Sequence, residues 1–199
     1  PYAGETSETM LQQLEQVCES IEDGVDHIGL LRLLPAGGAR NALDAALWDI
    51  ESKLTGIPVW RRAGLDRGEA ITTAITIGIR ALPEYEKAAR ALADHPWIKI
   101  KVDKTDPLGA VRAVRRAAPG AKLVVDANQA WTVDDLKSLT PALLELGVDL
   151  LEQPVRVGFD DDLHGYQSPI PICADESINT ATDLPGLVGR YSFINIKLD

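Results

Sequence analysis

Apolar residues recur at helical spacing early in the chain. Met10, Leu11, Leu14, Val17, Cys18 and Ile21 fall on one helical face, with Ser7 placed to cap it. Glu22 to Gly38 shows no clean period, and Pro35 with Gly37-Gly38 reads as a loop. A second helix carries the stripe Ala42, Leu43, Ala46, Leu47, Ile50 and Leu54, and Gly56 with Pro58 ends it. No strand-like run intervenes, so residues 1–65 read as a helical unit.

The texture changes after Leu65. Short runs rich in β-branched residues appear at 71–79, 97–102, 122–126, 148–152, 171–175 and 193–198. Amphipathic patterns near 83–93, 107–117, 133–146 and 180–189 separate them, with a less regular stretch after Glu152. Strand–helix alternation of this kind gives a parallel sheet of right-handed βαβ units. With no glycine-rich nucleotide loop, residues 66–199 fit a (β/α) barrel better than a doubly wound sheet. A full barrel has eight strands. The six runs present predict an incomplete barrel, strands one to six, that stops before closure. Its open edges would need a partner if the chain stood alone.

Composition narrows the function. The chain of 199 residues has a formal net charge of −10, which argues against binding nucleic acid or an anionic membrane surface. No apolar run is long enough to span a bilayer. No charged-then-apolar leader is present, which predicts a cytoplasmic location. The chain starts at Pro1 rather than Met, which points to an N-terminal part outside this sequence. Cys18 and Cys173 have no metal-ligand spacing and read as buried thiols of a reducing compartment.

In a (β/α) barrel, chemistry gathers at the C-terminal ends of the strands. Those ends carry Lys99-x-Lys101, Asp126-x-Asn128, Glu152-x-Pro154, Asp175-Glu176 and Lys197-x-Asp199. Lys101, Asp126, Glu152, Asp175 and Lys197 recur every 22–26 residues, about one βα unit each, so they converge on one mouth. Taken singly, a Lys-x-Lys is a solvated strand edge and a terminal carboxylate is an N-cap for the next helix. The ordered set is not explained that way. Three carboxylates on consecutive strands make a hard oxygen site suited to Mg²⁺. Lysines flank it on strands two and six, nearly opposite each other. Alternation puts Lys99 and Lys101 on one face, with Ile98, Ile100 and Val102 on the other. Two close ammonium groups beside a metal are expected to lower each other's pKa.

These strand-end motifs resemble those of the muconate-lactonizing subgroup of the enolase superfamily. Within it, residues 34–50 (LPAGGARNALDAALWDI), 71–79, 124–131 (VVDANQAW), 150–155 (LLEQPV), 171–177 (PICADES) and 189–199 are similar to dipeptide epimerases. The resemblance implies a (β/α) barrel preceded by the helical part of an α+β capping domain. It implies Mg²⁺ held by Asp126, Glu152 and Asp175, with Lys101 and Lys197 as the acid/base pair. Lys99 would support Lys101, and Asn128 and Glu176 would orient ligands or lysines. Thr76 and Asp199 would touch substrate. The implied substrate is a small dipeptide such as L-Ala-D/L-Glu, inverted at the α-carbon of its C-terminal residue by a 1,1-proton transfer. Members of the family are often homo-oligomers, and the residues leave the oligomeric state open.

Other activities share these motifs: o-succinylbenzoate synthase, muconate cycloisomerase and N-acylamino acid racemase. A non-catalytic scaffold is a further alternative, against which the intact ligands and lysines count. The cap loop and the last barrel strands, which would separate the enzymes, lie outside this sequence. His27, His95 and His164 miss the strand ends and read as surface or packing residues. Trp48 and Trp60 read as packing between cap and barrel, Trp131 as a candidate border of the site. Arg112, Arg115 and Arg116 read as a solvated helix face.

Overall fold

The computed structural model describes residues 4–66 and 70–197. The chain forms two compact units that divide between Ala70 and Ile71, with Ile196 the last residue of the second. The first is helical: α1 (Ser7–Gln16), α2 (Cys18–Glu22), α3 (His27–Leu33), α4 (Gly38–Thr55) and α5 (Val59–Arg62). Thr6, not Ser7, caps α1. Its hydroxyl accepts the Thr9 N–H while the Thr9 hydroxyl accepts that of Thr6. The chain breaks step at Val17, which ends α1 and starts α2.

A helix not expected from the apolar period, α3, occupies the stretch read as irregular. Asp26 caps it by accepting the Gly29 N–H at 2.6 Å. Val17, Leu30, Leu34 and Ala39 form the core of this unit, with Met10, Leu14, Ile21, Leu43 and Leu47 packed on it. The expected stripe of α4 therefore divides. Leu43 and Leu47 face the core with Ala39, at i, i+4, i+8 spacing, while Ile50 and Leu54 are exposed. Cys18 is also exposed, contrary to expectation, because Val17 takes the buried position beside it.

The second unit is a six-stranded parallel sheet in sequential order: β1 (Ile75–Ile77), β2 (Trp97–Lys101), β3 (Lys122–Asp126), β4 (Val148–Glu152), β5 (Ile172–Ala174) and β6 (Phe193–Ile194). This is the strand order of a (β/α) barrel. Helices α6 (Leu82–Arg90), α7 (Pro107–Ala117) and α8 (Val133–Glu145) connect the first four strands. A 3₁₀ turn at Asp160–Leu163 follows β4. A second turn at Ala181–Asp183 and the short α9 (Leu184–Leu187) precede β6. Proline at N1 and Asp106 as cap start α7, and a Thr132–Asp135 capping box starts α8. β1 and β6 are shorter than the runs that announced them. One face of the sheet packs Ile98, Ile100, Leu123, Val125 and Leu151 against the helices, all inaccessible to solvent.

One irregularity sets the site. Leu123 pairs with Val148 but Val124 pairs with Leu150, so Asp149 is an extra residue in β4. Its carboxylate accepts the Leu123 N–H at 2.8 Å. A shift of one residue turns every later side chain to the opposite face. The bulge therefore brings Glu152 into register with Asp126, on the same face. Without it, Asp126 would stand opposite Leu151.

Among the described residues, no helix is long and apolar enough to cross a membrane.

Candidate active site

Lys101 and Asp126 are paired across β2 and β3, and Asp126 and Glu152 across β3 and β4, so their side chains share a face. All three carboxylates expected as ligands are buried: Asp126, Glu152 and Asp175. Lys99 Nζ lies 2.9 Å from Asp126 Oδ2 and 2.6 Å from Glu152 Oε1, and Lys101 Nζ lies 3.3 Å from Asp126 Oδ2. Lys101 also donates to Asn128 Oδ1 at 2.6 Å, and Asn128 Nδ2 donates to Glu176 Oε1 at 3.1 Å. The structure thus brings Lys99, Lys101, Asp126, Asn128, Glu152, Asp175 and Glu176 to one end of the sheet. Thr76 is in register with Lys99 on β1 and shares its face. Lys197 follows β6, two residues beyond Asn195, whose N–H still bonds Ala174 O at 2.8 Å. Asp199 lies outside the described residues.

Backbone geometry helps aim these groups. Asn128, Gln129 and Gln153 adopt left-handed φ of 41°, 68° and 33°, which costs non-glycine residues about 1–3 kcal/mol each. They stand just past the β3 and β4 carboxylates, where the strands turn away. Asn128 N–H bonds Asp126 Oδ1 at 2.9 Å, and Gln129 N–H bonds Gln153 O at 2.8 Å, tying the two turns together.

Burial pulls the Lys99 ammonium toward neutrality, but its bonds to Glu152 and Asp126 outweigh that, and its pKa is raised. Lys99 is ion-paired to both carboxylates. Burial raises Glu152, the Lys99 bond counters it, and the charges of Asp126 and Asp175 add to the rise. Glu176 Oε2 is buried with no hydrogen-bond partner among the described residues.

These features fit a divalent cation in kind: hard oxygen donors on three buried carboxylates at neighbouring strand ends. Among the described residues no three His, Cys, Asp or Glu side chains form a ready-made cage. The Lys99 ammonium bridges Asp126 and Glu152.

Several partners of the cluster carry no strand-end signal of their own. Asn195 Nδ2 donates to Glu152 Oε1 at 2.9 Å. Buried Gln153 and partly buried Ser177, Tyr191 and Asp160 form a hydrogen-bonded group beside Asp175. Cys173, buried as expected, has its thiol pushed up to about 12 by burial and the nearby carboxylates, so it stays protonated. Trp131 is buried and pairs with Val155 in a short bridge beyond β3 and β4.

A parallel sheet with carboxylates and lysines gathered at its strand ends defines a class, and the model of the enolase C-terminal domain-like family matches residues 84–197: the chain belongs to that family. Over its whole length the chain is 40% identical to an N-acetyl-D-glutamate racemase of Pseudoalteromonas sp, covering 64% of that protein. It is 37% identical, again over its whole length, to the L-Ala-D/L-Glu epimerase of Escherichia coli (strain K12), covering 63% of it. The chain therefore spans less than two thirds of either relative. It superposes on an enolase family member from Agrobacterium tumefaciens with homology to dipeptide epimerases, solved with sodium and L-Ala-L-Glu. The TM-score is 0.94 at 36% identity, over 98% of this chain and 60% of that one. For the dipeptide epimerase of Enterococcus faecalis V583, complexed with Mg and L-Leu-L-Tyr, the TM-score is 0.86 at 30% identity, over 98% and 59% of the two chains.

Proposed function

We propose that this chain belongs to a Mg²⁺-dependent epimerase or racemase that inverts the α-carbon of a glutamate acylated on its nitrogen, with L-Ala-D/L-Glu as the dipeptide form. The observation that carries the reading is Lys101, held 3.3 Å from Asp126 and 2.6 Å from Asn128 beside three buried carboxylates. Asp126, Glu152 and Asp175 would hold the metal. When bound, the cation supplies positive charge that offsets the negative charge proton removal leaves on the substrate carboxylate. Lys101, in its neutral form, takes the α-proton on one side. Lys197, assigned by its place after the sixth strand, returns a proton on the other, and the two exchange roles with substrate configuration. Asn128 orients the Lys101 amine through its carbonyl oxygen. Lys99 pairs with Asp126 and Glu152 and helps hold the two carboxylates in place.

Two substrates share this chemistry. N-acetylglutamate and L-Ala-Glu both present a glutamate α-carbon between an amide nitrogen and a free carboxylate. The two relatives in the sequence comparison, at 40% and 37% identity, bear one name of each kind. They differ in the free ammonium of the alanine.

The test is proton exchange. The protein carrying this chain, with Mg²⁺, is incubated in deuterated water with L-Ala-L-Glu and separately with N-acetylglutamate. Deuterium should enter the glutamate α-carbon as the centre inverts. Lys101→Ala and Lys197→Ala should each lose at least about 10²-fold in rate. Full activity in either variant would sink the two-lysine scheme. Exchange with neither substrate would move the reading to o-succinylbenzoate synthase or another activity of the group.

A further inference from the structure

We propose that Gln153 is a positioning residue that sets where Asp175 stands relative to Glu152, and so controls how tightly the carboxylate cluster holds a divalent cation. The inference rests on the reading of Asp126, Glu152 and Asp175 as Mg²⁺ ligands. It concerns a residue that would not itself touch the metal.

Gln153 follows Glu152 directly and is completely buried. Its backbone extends the β4–β5 ladder by one bond, from Gln153 N–H to Cys173 O at 2.9 Å. Its side chain then crosses to the outgoing end of β5. There Oε1 accepts the Asp175 N–H at 2.8 Å and the Ser177 N–H at 3.1 Å. On the other side Nε2 faces Val155 O at 3.0 Å, Ser177 Oγ at 2.8 Å and Tyr191 Oη at 3.2 Å. Both lone pairs and both amide protons have partners, so the amide is held in one orientation.

A second carboxylate orders those partners. Asp160, in the turn after β4, accepts from Ser177 Oγ at 2.5 Å and from Tyr191 Oη at 2.6 Å. With both hydroxyl protons directed at Asp160, their oxygens are left free to accept from Gln153. Burial, and then the bond to Asp160, raise the Tyr191 pKa, which keeps the phenol protonated. The chain Asp160–Tyr191 and Ser177–Gln153–Asp175 backbone is contiguous, buried at its Gln153 and Asp175 end and partly buried at Asp160, Ser177 and Tyr191, and linked bonds of this kind reinforce one another.

Packing alone does not explain this residue. A buried amide in left-handed backbone costs desolvation and strain, and a methionine of similar volume would fill the space. What the amide adds is a fixed distance between the ends of two strands that each contribute a carboxylate. Residues that orient ligands from behind commonly change metal affinity by about 10–100-fold when removed.

The experiment titrates Mg²⁺ calorimetrically into wild type, Gln153→Met and Tyr191→Phe, and records the melting temperature of each with the metal removed. The proposal expects Mg²⁺ binding by wild type and about 10–100-fold weaker binding by Gln153→Met. Tyr191→Phe, which cuts only the outer end of the chain, should show a smaller loss in the same direction. A lowered metal-free melting temperature in Gln153→Met with unchanged Mg²⁺ affinity would overturn the proposal, since a purely structural residue behaves that way. If Gln153→Met does not fold, an unchanged affinity in Tyr191→Phe overturns it. Failure of wild type to bind Mg²⁺ would overturn the metal reading, and this inference with it; normal wild-type binding with unaffected variants overturns this inference alone.

Discussion

The two units are held together by different means. In the second, twenty-four buried residues among those described form one continuous core between the sheet and its helices. In the first, four of the described residues do, while Ile28, Leu31 and Leu54 stay exposed. Polar pairs take up part of the work there: His27 with Asp44, Glu51 with Arg62, and Asp49 with Lys53. A large apolar core on one face of a sheet can tolerate a costly charge cluster on the other. The Lys99–Asp126–Glu152 group, with both carboxylates buried and Lys99 partly so, occurs in the second unit, where burial of Ile98, Ile100 and Leu151 offsets its desolvation. The first unit has no comparable reserve, and its ion pairs are only partly buried.

That contrast can be broken by truncating each core. Ile100→Ala empties a site with no solvent access and should cost about 3–5 kcal/mol, the upper part of the range for such changes. Leu30→Ala, in the thinner core, should cost about 2–3 kcal/mol because its neighbours can collapse inward. Urea denaturation followed by probes in each unit measures both. Equal losses would show that the two cores are equivalent.

A smaller effect sharpens the comparison within the second unit. Asp149→Ala removes the carboxylate that satisfies the Leu123 N–H at the bulge and should cost about 1–3 kcal/mol. It should also weaken Mg²⁺ binding, because the bulge keeps Glu152 facing the same way as Asp126. Asp149→Asn, which retains an acceptor, should restore most of both. Loss of stability without loss of metal affinity would mean that the register survives without Asp149.

The same contrast governs what was legible in the amino-acid sequence. Strands β2, β3 and β4 and helices α7 and α8 stand close to where their patterns place them, since a two-sided core demands clean periodicity. Lys101, Asp126 and Glu152 could be read because each closes a β-branched run. The weakly packed elements were harder. α3 was hidden because Ile28, Leu30, Leu31, Leu33 and Leu34 make an apolar run with no polar face, although Asp26 before it is a good cap. Side chains whose partners are distant backbone carbonyls leave no local trace. Arg115, expected on a solvated face, instead donates to Ala121 O at 2.6 Å, Leu146 O at 2.8 Å and Gly147 O at 2.8 Å, pinning the ends of α7 and α8. Gln153 is similar: its side chain's five hydrogen bonds go to four residues on three separate segments, and nothing in its neighbourhood announces them.

The least of the expected effects tests the first unit through pH. His27 Nδ1 lies 2.6 Å from Asp44, its Nε2 lies 3.5 Å from Glu51, and its ring packs on Trp48 with centroids 4.5 Å apart. The Asp44 bond, against some burial, raises the His27 pKa above its ordinary 6.5. A group whose pKa is higher folded than unfolded stabilises the folded state fully below the unfolded value and loses that contribution as pH rises through the folded value. The first unit should therefore be most stable below about pH 6.5 and weaken as pH passes through the raised pKa. Both partners are partly solvated, so the change should stay within about 1 kcal/mol, as for exposed ion pairs. Hydrogen exchange of α3 and α4 amides, in wild type and His27→Gln at pH 5.5 and 9, measures it against the second unit. Protection in wild type should exceed that in His27→Gln at the lower pH and approach it at the higher, while amides of β2–β4 should not distinguish the two proteins. A difference that persists undiminished at pH 9 would assign His27 a packing role on Trp48 and remove the charge from the account of this unit.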